Sequence, residues 1–220
     1  MKRKTLIIGG TKGIGKAILE NLKSHECHVI SRSYSARQNH YALDVLQDEL
    51  PEIEGLNNIV YCPGSITLKP FHRLTVEDFI SDYRVNVLGA VRVLQFYFKE
   101  LKKNKGSVVL FGTVASQQGM SFHASIAAAK GGLESLARSL AAEWAPNIRV
   151  NVVNPSLTDT PLAEALLSTD QKRENAAQRH PLKKIGSPED IAEAAIFCLE
   201  NQWVTGQTIG VDGGMSTVRV

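Results

Sequence analysis

The sequence predicts a single α/β domain: a doubly wound, mostly parallel sheet of seven strands with helices on both faces. Strand and helix patterns alternate along the whole chain, which is typical of this class. The strand segments are continuous apolar runs, as expected for strands covered on both faces. A length of 220 residues with 43% hydrophobic residues suffices for one sizeable core and is short for two. We therefore expect residues 1–220 to form one domain.

Seven short apolar runs are predicted to be strands, each bounded by turn residues or by a helical pattern. In chain order they are Thr5–Ile8, Cys27–Ile30, Tyr41–Val45, Asn58–Cys62, Ser107–Phe111, Ile148–Val153 and Gln207–Val211. The segment Ser31–His40 lies between two of these strands and is too short and too rich in serine to predict a helix. No internal repeat or linker interrupts the alternation.

Four segments have apolar residues at helical spacing: Ile14–Lys23, Val76–Lys103, Ser125–Glu143 and a last helix that ends near Leu199. Ser187 is the predicted N-cap of that last helix, since proline follows at the first helical position. The segment Leu157–His180 is polar and bounded by prolines. We predict that it is a mobile flap over a site.

Composition excludes several classes of function. The formal net charge is only +3, and apart from Lys2–Lys4 the cations are scattered, so neither a nucleic acid nor a membrane surface is expected as a partner. Cys27, Cys62 and Cys198 lie far apart without metal-ligand spacing, which favours reduced thiols and predicts no metal site. No apolar run approaches the ~18 residues of a membrane span. We expect a cytoplasmic protein.

A glycine-rich turn follows the first predicted strand and opens the first helix. Glycine permits a sharp turn and lets a pyrophosphate approach the free N–H groups of a helix N-terminus. This position predicts a Rossmann-type nucleotide-binding site. The residues expected to contact the cofactor there are Gly9, Thr11, Lys12, Gly13, Ile14 and Gly15.

The spacing G-x-x-x-G-x-G, rather than G-x-G-x-x-G, resembles that of the short-chain dehydrogenase/reductase family. Further matches fall in the family's order: Tyr61-Cys62-Pro63-Gly64, Asn86-Val87-Leu88-Gly89, Asn154-Pro155-Ser156, Val204-Thr205-Gly206-Gln207 and Val211-Asp212-Gly213-Gly214. The resemblance covers essentially the whole chain. It implies a nicotinamide cofactor, a small-molecule substrate and a homodimer or homotetramer, for which Ala128 and Gly132 provide small residues in one helix.

The end of the second strand indicates which cofactor is preferred. It reads Ser31-Arg32-Ser33, without the carboxylate that would bind the ribose hydroxyls of NAD. Lys12 is expected nearby, and two cations with two hydroxyls suit a 2′-phosphate. The alternative is that both cations are ordinary surface residues. We predict NADP(H) in preference to NAD(H).

The resemblance implies further cofactor contacts along the chain. Asp44 and Val45 resemble a family pair that holds the adenine, although Asp44 could equally cap the following helix. The other implied contacts are Pro63, Gly64, Lys130, Pro155, Ser156, Leu157, Thr158 and Thr160.

The family's catalytic set matches only in part. In the family, a serine and an asparagine assist a Tyr-x-x-x-Lys pair, whose tyrosine exchanges a proton with the substrate while lysine lowers its pKa and binds the nicotinamide ribose. Lys130 matches the lysine, Thr113 stands at the serine position and Asn86 matches the asparagine. Their alternatives are a lysine that extends to solvent, a strand-end threonine and an amide bonded to nearby backbone.

The tyrosine position holds Ile126, which cannot transfer a proton. His123 lies seven residues before Lys130, a separation that resembles the Tyr-x6-Lys pattern of divergent enoyl-thioester reductases in the same superfamily. Histidine titrates near neutral pH, so His123 is a candidate substitute acid. The alternative is a surface histidine at the helix entrance. Ser125 and Tyr83 are weaker candidates.

Three functions are compatible with these residues. The first is an NADP(H)-dependent oxidoreductase that acts on a small carbonyl, enone or hydroxyl substrate, with the proton from His123 or from water. The second is a non-catalytic cofactor-binding homologue, either a partner subunit or a nucleotide sensor, because the tyrosine is replaced by Ile126. The third is a lyase or isomerase that uses the pocket without net oxidation or reduction.

Overall fold

The fold was obtained from a computed structural model, which describes residues 2–33 and 35–219. Tyr34, inside the predicted loop 31–40, is outside the described residues. The strands form a single parallel sheet in the order β3-β2-β1-β4-β5-β6-β7. Their bounds are Lys4–Ile8 (β1), Glu26–Ser31 (β2), His40–Ala42 (β3), Leu56–Tyr61 (β4), Ser107–Phe111 (β5), Arg149–Pro155 (β6) and Thr208–Val211 (β7).

Helices cover both faces of this sheet. They are Gly13–Asn21 (α1), Val76–Tyr83 (α2), Gly89–Lys103 (α3), Ala124–Trp144 (α4), Asp170–Gln178 (α5) and Pro188–Glu200 (α6). Side chains of α3 and α4 pack with the sheet in one apolar cluster, and those of α1 and α6 pack on the opposite face in another. The doubly wound seven-stranded fold that the sequence predicts is therefore confirmed.

The third strand is shorter than the predicted Tyr41–Val45. It begins at His40 and ends at Ala42, because the chain turns at Asp44. The carboxylate of Asp44 accepts the N–H of Leu46 at 2.9 Å, and its backbone oxygen accepts the N–H of Asp48 at 2.9 Å. This local turn takes Val45 out of the strand and into the core.

The predicted helix Val76–Lys103 is divided into three parts. A π-helical turn, Arg84–Leu88, separates α2 from α3. Thr75 and Asp78 form a reciprocal capping box that starts α2, with the N–H of Asp78 bonded to the Thr75 hydroxyl at 3.2 Å. π-helical turns inside helices occur often at functional sites. This turn contains Asn86 at its centre.

The predicted flap Leu157–His180 contains two helical segments that the sequence did not predict, a 3-10 helix Pro161–Leu167 and α5. Ala163, Leu167 and Ala176 pack together in a small separate cluster. The segment ends at His180, which is fully buried. Its mobility stays a prediction.

Within residues 2–33 and 35–219, no helix combines the length and apolarity needed to cross a bilayer. The same residues contain no group of three His, Cys, Asp or Glu side chains that could hold a metal ion. Cys27, Cys62 and Cys198 are unpaired thiols.

Candidate active site

The candidate site lies where the order of the sheet reverses. Strands β1 and β4 are neighbours, and the chain leaves them in opposite directions along the sheet. In open parallel sheets, ligands bind outside the carboxyl ends of the strands at such a point. The glycine turn follows β1, and Pro63 and Gly64 follow β4, so both predicted segments lie at this crevice.

Three glycines of the turn are needed for its shape. Gly9 and Gly13 have positive φ angles of 80° and 51°, which side chains rarely tolerate. A Cβ on Gly15 would overlap the backbone oxygen of Gly9. Gly15 therefore lets the start of α1 pack directly on the turn.

The first turn of α1 provides free N–H groups for an anion. Lys12 is its N-cap and forms no side-chain capping bond, and the first turn contains no acidic residue. Thr160, from the flap, lies beside the turn, since a Cβ on Gly13 would be 3.4 Å from the Thr160 Cβ. An uncapped, carboxylate-free helix start beneath a glycine cradle fits the pyrophosphate of a dinucleotide.

The end of β2 presents one cation to solvent. The Ser31 hydroxyl is buried and bonded to the Ser33 backbone oxygen and to His40 Nε2, both at 2.8 Å. It therefore holds the loop rather than facing a ligand. Arg32 and Ser33 are exposed. In the described part of the chain, neither Arg32 nor Lys12 is paired with a carboxylate.

The residues after β6 are held by contacts with the far end of the flap. The Ser156 hydroxyl lies 2.8 Å from His180 Nε2, and His180 Nδ1 lies 2.8 Å from the backbone oxygen of Ala176. Thr158 donates its hydroxyl to the Ser156 backbone oxygen at 2.9 Å. These bonds hold the chain between the end of β6 and Thr160, a segment that includes Pro155, Leu157 and Thr158. The Ser156 hydroxyl faces His180 and not the crevice.

Lys130 is buried at the centre of the site, with 7% of its surface exposed. Its ammonium donates a hydrogen bond of 2.7 Å to the backbone oxygen of Phe111, the last residue of β5. Desolvation lowers the pKa of Lys130 to about 8, against the opposing effects of Cys62 and Asp82, which favour its charged form. The lysine does not extend to solvent, which excludes that alternative.

Thr113 lies just beyond β5, two residues after Phe111. It caps a short 3-10 turn, and its hydroxyl oxygen accepts the N–H of Ala115 at 3.3 Å. Gly112, between them, packs against Asn154, because a Cβ there would overlap Asn154 Oδ1. This contact fixes the backbone that places both the Lys130 acceptor and Thr113.

The side-chain oxygen of Asn86 and the ammonium of Lys130 both lie close to Gly64. Its Nδ2 donates to Ser65 Oγ at 2.9 Å and to the Asp82 backbone oxygen at 2.8 Å. Its Oδ1 is buried and has no hydrogen-bond partner among the described residues. A Cβ on Gly64 would lie 3.3 Å from this oxygen and 3.8 Å from Lys130 Nζ. Because Gly64 has no side chain, the space between Asn86 Oδ1 and Lys130 Nζ stays open.

Ile126 is buried one helical turn before Lys130, at the position of the family's tyrosine. His123 is the N-cap residue of α4, and its Nδ1 lies 2.7 Å from the Ser121 backbone oxygen. Seven residues of helix place it roughly 10 Å along the axis from Lys130. The structure thus brings Lys130 and Asn86 together beside Gly64 and places Thr113 two residues after the Lys130 acceptor, while His123 lies at the start of the same helix.

Sequence reasoning missed a buried carboxylate beside this region. Asp82 is 1% exposed and accepts hydrogen bonds from the hydroxyls of Ser65, Thr67 and Ser125. Its spacing of four residues from Asn86, which puts both on one helix face, was the available signal. Ser125 was considered only as a substitute proton donor, and its bond to Asp82 was not predicted.

Comparisons with known proteins show the family to which this fold belongs. A sequence profile for the family described as Enoyl-(Acyl carrier protein) reductase matches residues 35–216. Carbonyl reductase family member 4 of Danio rerio is 32% identical, over 98% of both chains. The 3-oxoacyl-[acyl-carrier-protein] reductase of Bos taurus is 31% identical, also over 98% of both chains.

Solved structures have the same fold. Ligand-free aldohexose dehydrogenase of Thermoplasma acidophilum superposes with a TM-score of 0.89 at 22% identity, over 99% of this chain and 95% of that one. ElxO with NADP bound superposes with a TM-score of 0.87 at 24% identity, over 99% of this chain and all of that one. With its sheet, its glycine turn and relatives matched along nearly their whole length, the chain belongs to the short-chain dehydrogenase/reductase family.

Proposed function

We propose that the protein is an NADP(H)-dependent oxidoreductase that acts on a small carbonyl, enone or hydroxyl substrate. The observation that carries this proposal is the buried ammonium of Lys130, bonded to Phe111 and facing Asn86 Oδ1 across Gly64. Burying a lysine beside an unpartnered amide oxygen costs stability. A cofactor and substrate in this space would give Asn86 Oδ1 a partner and would give Lys130 partners in addition to Phe111.

Each retained side chain has a role in the proposed reaction. The nicotinamide, when bound, supplies or accepts the hydride. Lys130 would bind the nicotinamide ribose, and the Thr113 hydroxyl would donate a hydrogen bond to the substrate oxygen. Asn86 Oδ1 would accept a hydrogen bond from a ligand hydroxyl, from a water or from the ammonium itself. His123, or water held between Asn86 and Lys130, is proposed to replace the tyrosine as the proton source.

The preference for NADP(H) is proposed from charge. Arg32 is exposed at the end of β2 and Lys12 at the start of α1, and the loop between β2 and β3 offers no carboxylate among its described residues. A 2′-phosphate would accept hydrogen bonds from the planar guanidinium. ElxO, with the same fold, was solved with NADP bound, which is consistent with this preference.

A non-catalytic binder is the second candidate. It is favoured by Ile126, which is buried at the one position where the family requires a tyrosine. The cofactor site would then serve a partner subunit or a nucleotide sensor. We propose the enzyme first, because the Thr113 hydroxyl, whose proposed partner is a substrate oxygen, has no role in binding the cofactor alone.

We also propose a cytoplasmic homodimer or homotetramer that associates through α3 and α4. Exposed apolar side chains on and before α3 support this, namely Tyr83, Leu88 and Phe96. Light scattering should give a mass at least twice the 24.1 kDa of one chain. A monomer at micromolar concentration would contradict it.

Consumption of NADPH, followed by its absorbance over a panel of ketones, aldehydes and enones, tests the enzyme proposal. We expect turnover of at least one class, and loss of that turnover in Lys130→Met. If NADPH binds and no substrate class is turned over, the binder is the better explanation.

A further inference from the structure

Asp82 is a buried charge that the proposed reaction does not yet use. It lies in the last turn of α2, directly before the π-helical turn. Only 1% of its surface is exposed, and no lysine or arginine within the described residues forms an ion pair with it. Burying an ionised carboxylate without compensation is strongly destabilising. Such a group requires an explanation.

Three hydroxyls from two other segments surround the carboxylate. Ser65 and Thr67 donate to its Oδ1 at 2.6 and 3.1 Å, and both belong to the loop after β4. Ser125 donates to its Oδ2 at 2.5 Å from the first turn of α4. Ser125 immediately precedes Ile126. Asp82 thus joins three elements that border the candidate site.

Asp82 orients Asn86 in two ways: its backbone oxygen accepts from Asn86 Nδ2 at 2.8 Å, and its carboxylate acts through Ser65. A serine hydroxyl has a single proton, and that of Ser65 is donated to Asp82. Toward Asn86 the same oxygen can therefore only accept, which selects the Nδ2 group at 2.9 Å. The amide oxygen must then point to the opposite side, toward Gly64 and Lys130. Without the carboxylate, Ser65 could also donate to the amide oxygen, and only the bond to the Asp82 backbone oxygen would still select the present orientation.

The carboxylate also acts on Lys130 through its charge. Desolvation disfavours the ammonium, while Asp82 and Cys62 favour it. Burial raises the pKa of Cys62 to about 12, so this thiol is neutral at pH 7 and Asp82 supplies the negative charge. Glu134 lies one turn further along α4, and its carboxylate accepts a hydrogen bond from Asn154 Nδ2 at 2.8 Å. It is not among the groups that shift the pKa of Lys130.

We propose that Asp82 is a positioning residue of the candidate active site, which holds the side-chain oxygen of Asn86 toward Lys130 and supplies buried negative charge beside that lysine. This inference rests on the proposed function only in treating the region around Lys130 as an active site. With Ile126 in place of a tyrosine, the site depends on a protonated Lys130 and a fixed Asn86, and Asp82 maintains both.

Asp82→Asn tests the charge. The change keeps the shape and one acceptor oxygen for Ser65, and it removes the negative charge. Lysine labelled with carbon-13 at Cε allows Lys130 to be titrated by NMR, with its signal assigned by its loss in Lys130→Met. We expect the Lys130 midpoint to fall by roughly one pH unit. Glu77→Gln, which removes an exposed charge from the same helix, should leave it unchanged.

Ser65→Ala tests the orientation and stays informative if Asp82→Asn does not fold. The Nδ2 protons of Asn86 should exchange with solvent up to about tenfold faster, as expected for one lost hydrogen bond. Thr67→Ala is the matched control, because Thr67 also bonds Asp82 but does not appear among the partners of Asn86. It should leave the exchange of Asn86 unchanged.

Two results would overturn the proposal. A folded Asp82→Asn variant with the wild-type Lys130 midpoint would exclude an effect of the Asp82 charge on Lys130. Equal hydrogen exchange of the Asn86 amide in Ser65→Ala and Thr67→Ala would exclude the role of Ser65 in orienting Asn86. Both readouts are taken without cofactor or substrate. A failure of the proposed enzyme activity would therefore leave them intact and separable.

Discussion

Lys130 donates its hydrogen bond to the backbone oxygen of Phe111, so the end of β5 holds the ammonium in the interior of the protein. The lysine is 7% exposed, and desolvation lowers its pKa to about 8. In the unfolded chain a lysine keeps its proton to about pH 10.4. Between these values the unfolded state binds more protons than the folded state, so the free energy of unfolding rises with pH through Lys130.

Lys130→Met should remove this rise. We expect the free energy of unfolding of the wild-type protein to gain about 2 kcal/mol over the variant between pH 8 and pH 9.5. Urea denaturation of both proteins at the two pH values measures it. All other titratable side chains are common to both proteins, so the difference between the two profiles reports on Lys130. Parallel pH profiles would show that the lysine is solvated.

Arg32→Ala combined with Lys12→Ala should weaken NADPH binding by about 10- to 100-fold and NADH binding far less. The reason is the loss of charge-assisted hydrogen bonds to the 2′-phosphate, each worth about 1.5–3 kcal/mol in favourable geometry and less where solvent screens them. Calorimetry with both cofactors provides the numbers. Lys16→Ala, an exposed lysine further along α1, is the control. An equal loss for both cofactors, or tighter NADH binding by the wild type, would reverse the assignment.

His123→Ala should lower turnover by roughly 10²–10⁴-fold if this histidine supplies the proton, with little change in NADPH affinity. The kcat on the best substrate, measured from pH 5 to 9, checks this. His72→Ala, an exposed histidine before α2, is the control. Unchanged turnover in His123→Ala would assign the proton to water beside Asn86 and leave the enzyme proposal standing.

The sequence was sufficient for the fold and for placing the glycine turn and Lys130 on their elements. The strands and the glycine turn were predictable because both are encoded locally, the strands by runs of apolar residues and the turn by the glycines that follow β1. Lys130 could be placed because its motif fixes its helix. That it is buried could not be predicted, since Phe111 lies 19 residues away in the chain.

What the sequence could not supply depends on contacts between distant segments. In the sequence, Asp82 is indistinguishable from an exposed helix carboxylate. Its burial depends on Ser65 and Ser125, which bond to it from other elements. The π-helical turn Arg84–Leu88 contains neither proline nor glycine, so the sequence does not indicate an interruption of the helix there. Helix α5 was missed because it is polar on nearly every side, and only Ala176 within it is buried.

Ile126→Tyr should create or raise NADPH-dependent reduction of simple ketones. The new hydroxyl would lie one helical turn from Lys130, whose positive charge lowers a tyrosine pKa. Initial rates with a ketone panel measure the gain, and Ile126→Phe is the matched control for bulk without the hydroxyl. If a folded Ile126→Tyr variant is no faster than Ile126→Phe, the pocket has diverged for another task and the binder gains support.

Hydride transfer from NADPH to a small substrate is the core of the proposed function, and isotopic labelling tests it without intermediate steps. The protein is incubated with NADPH carrying deuterium at C4, prepared separately as each of its two C4 isomers, and a carbonyl or enone, and the product mass is measured. We expect a product with one deuterium at carbon from one of the two isomers, and no such product from Lys130→Met. NADPH that binds and is recovered with its label, with every substrate class unchanged, would contradict hydride transfer.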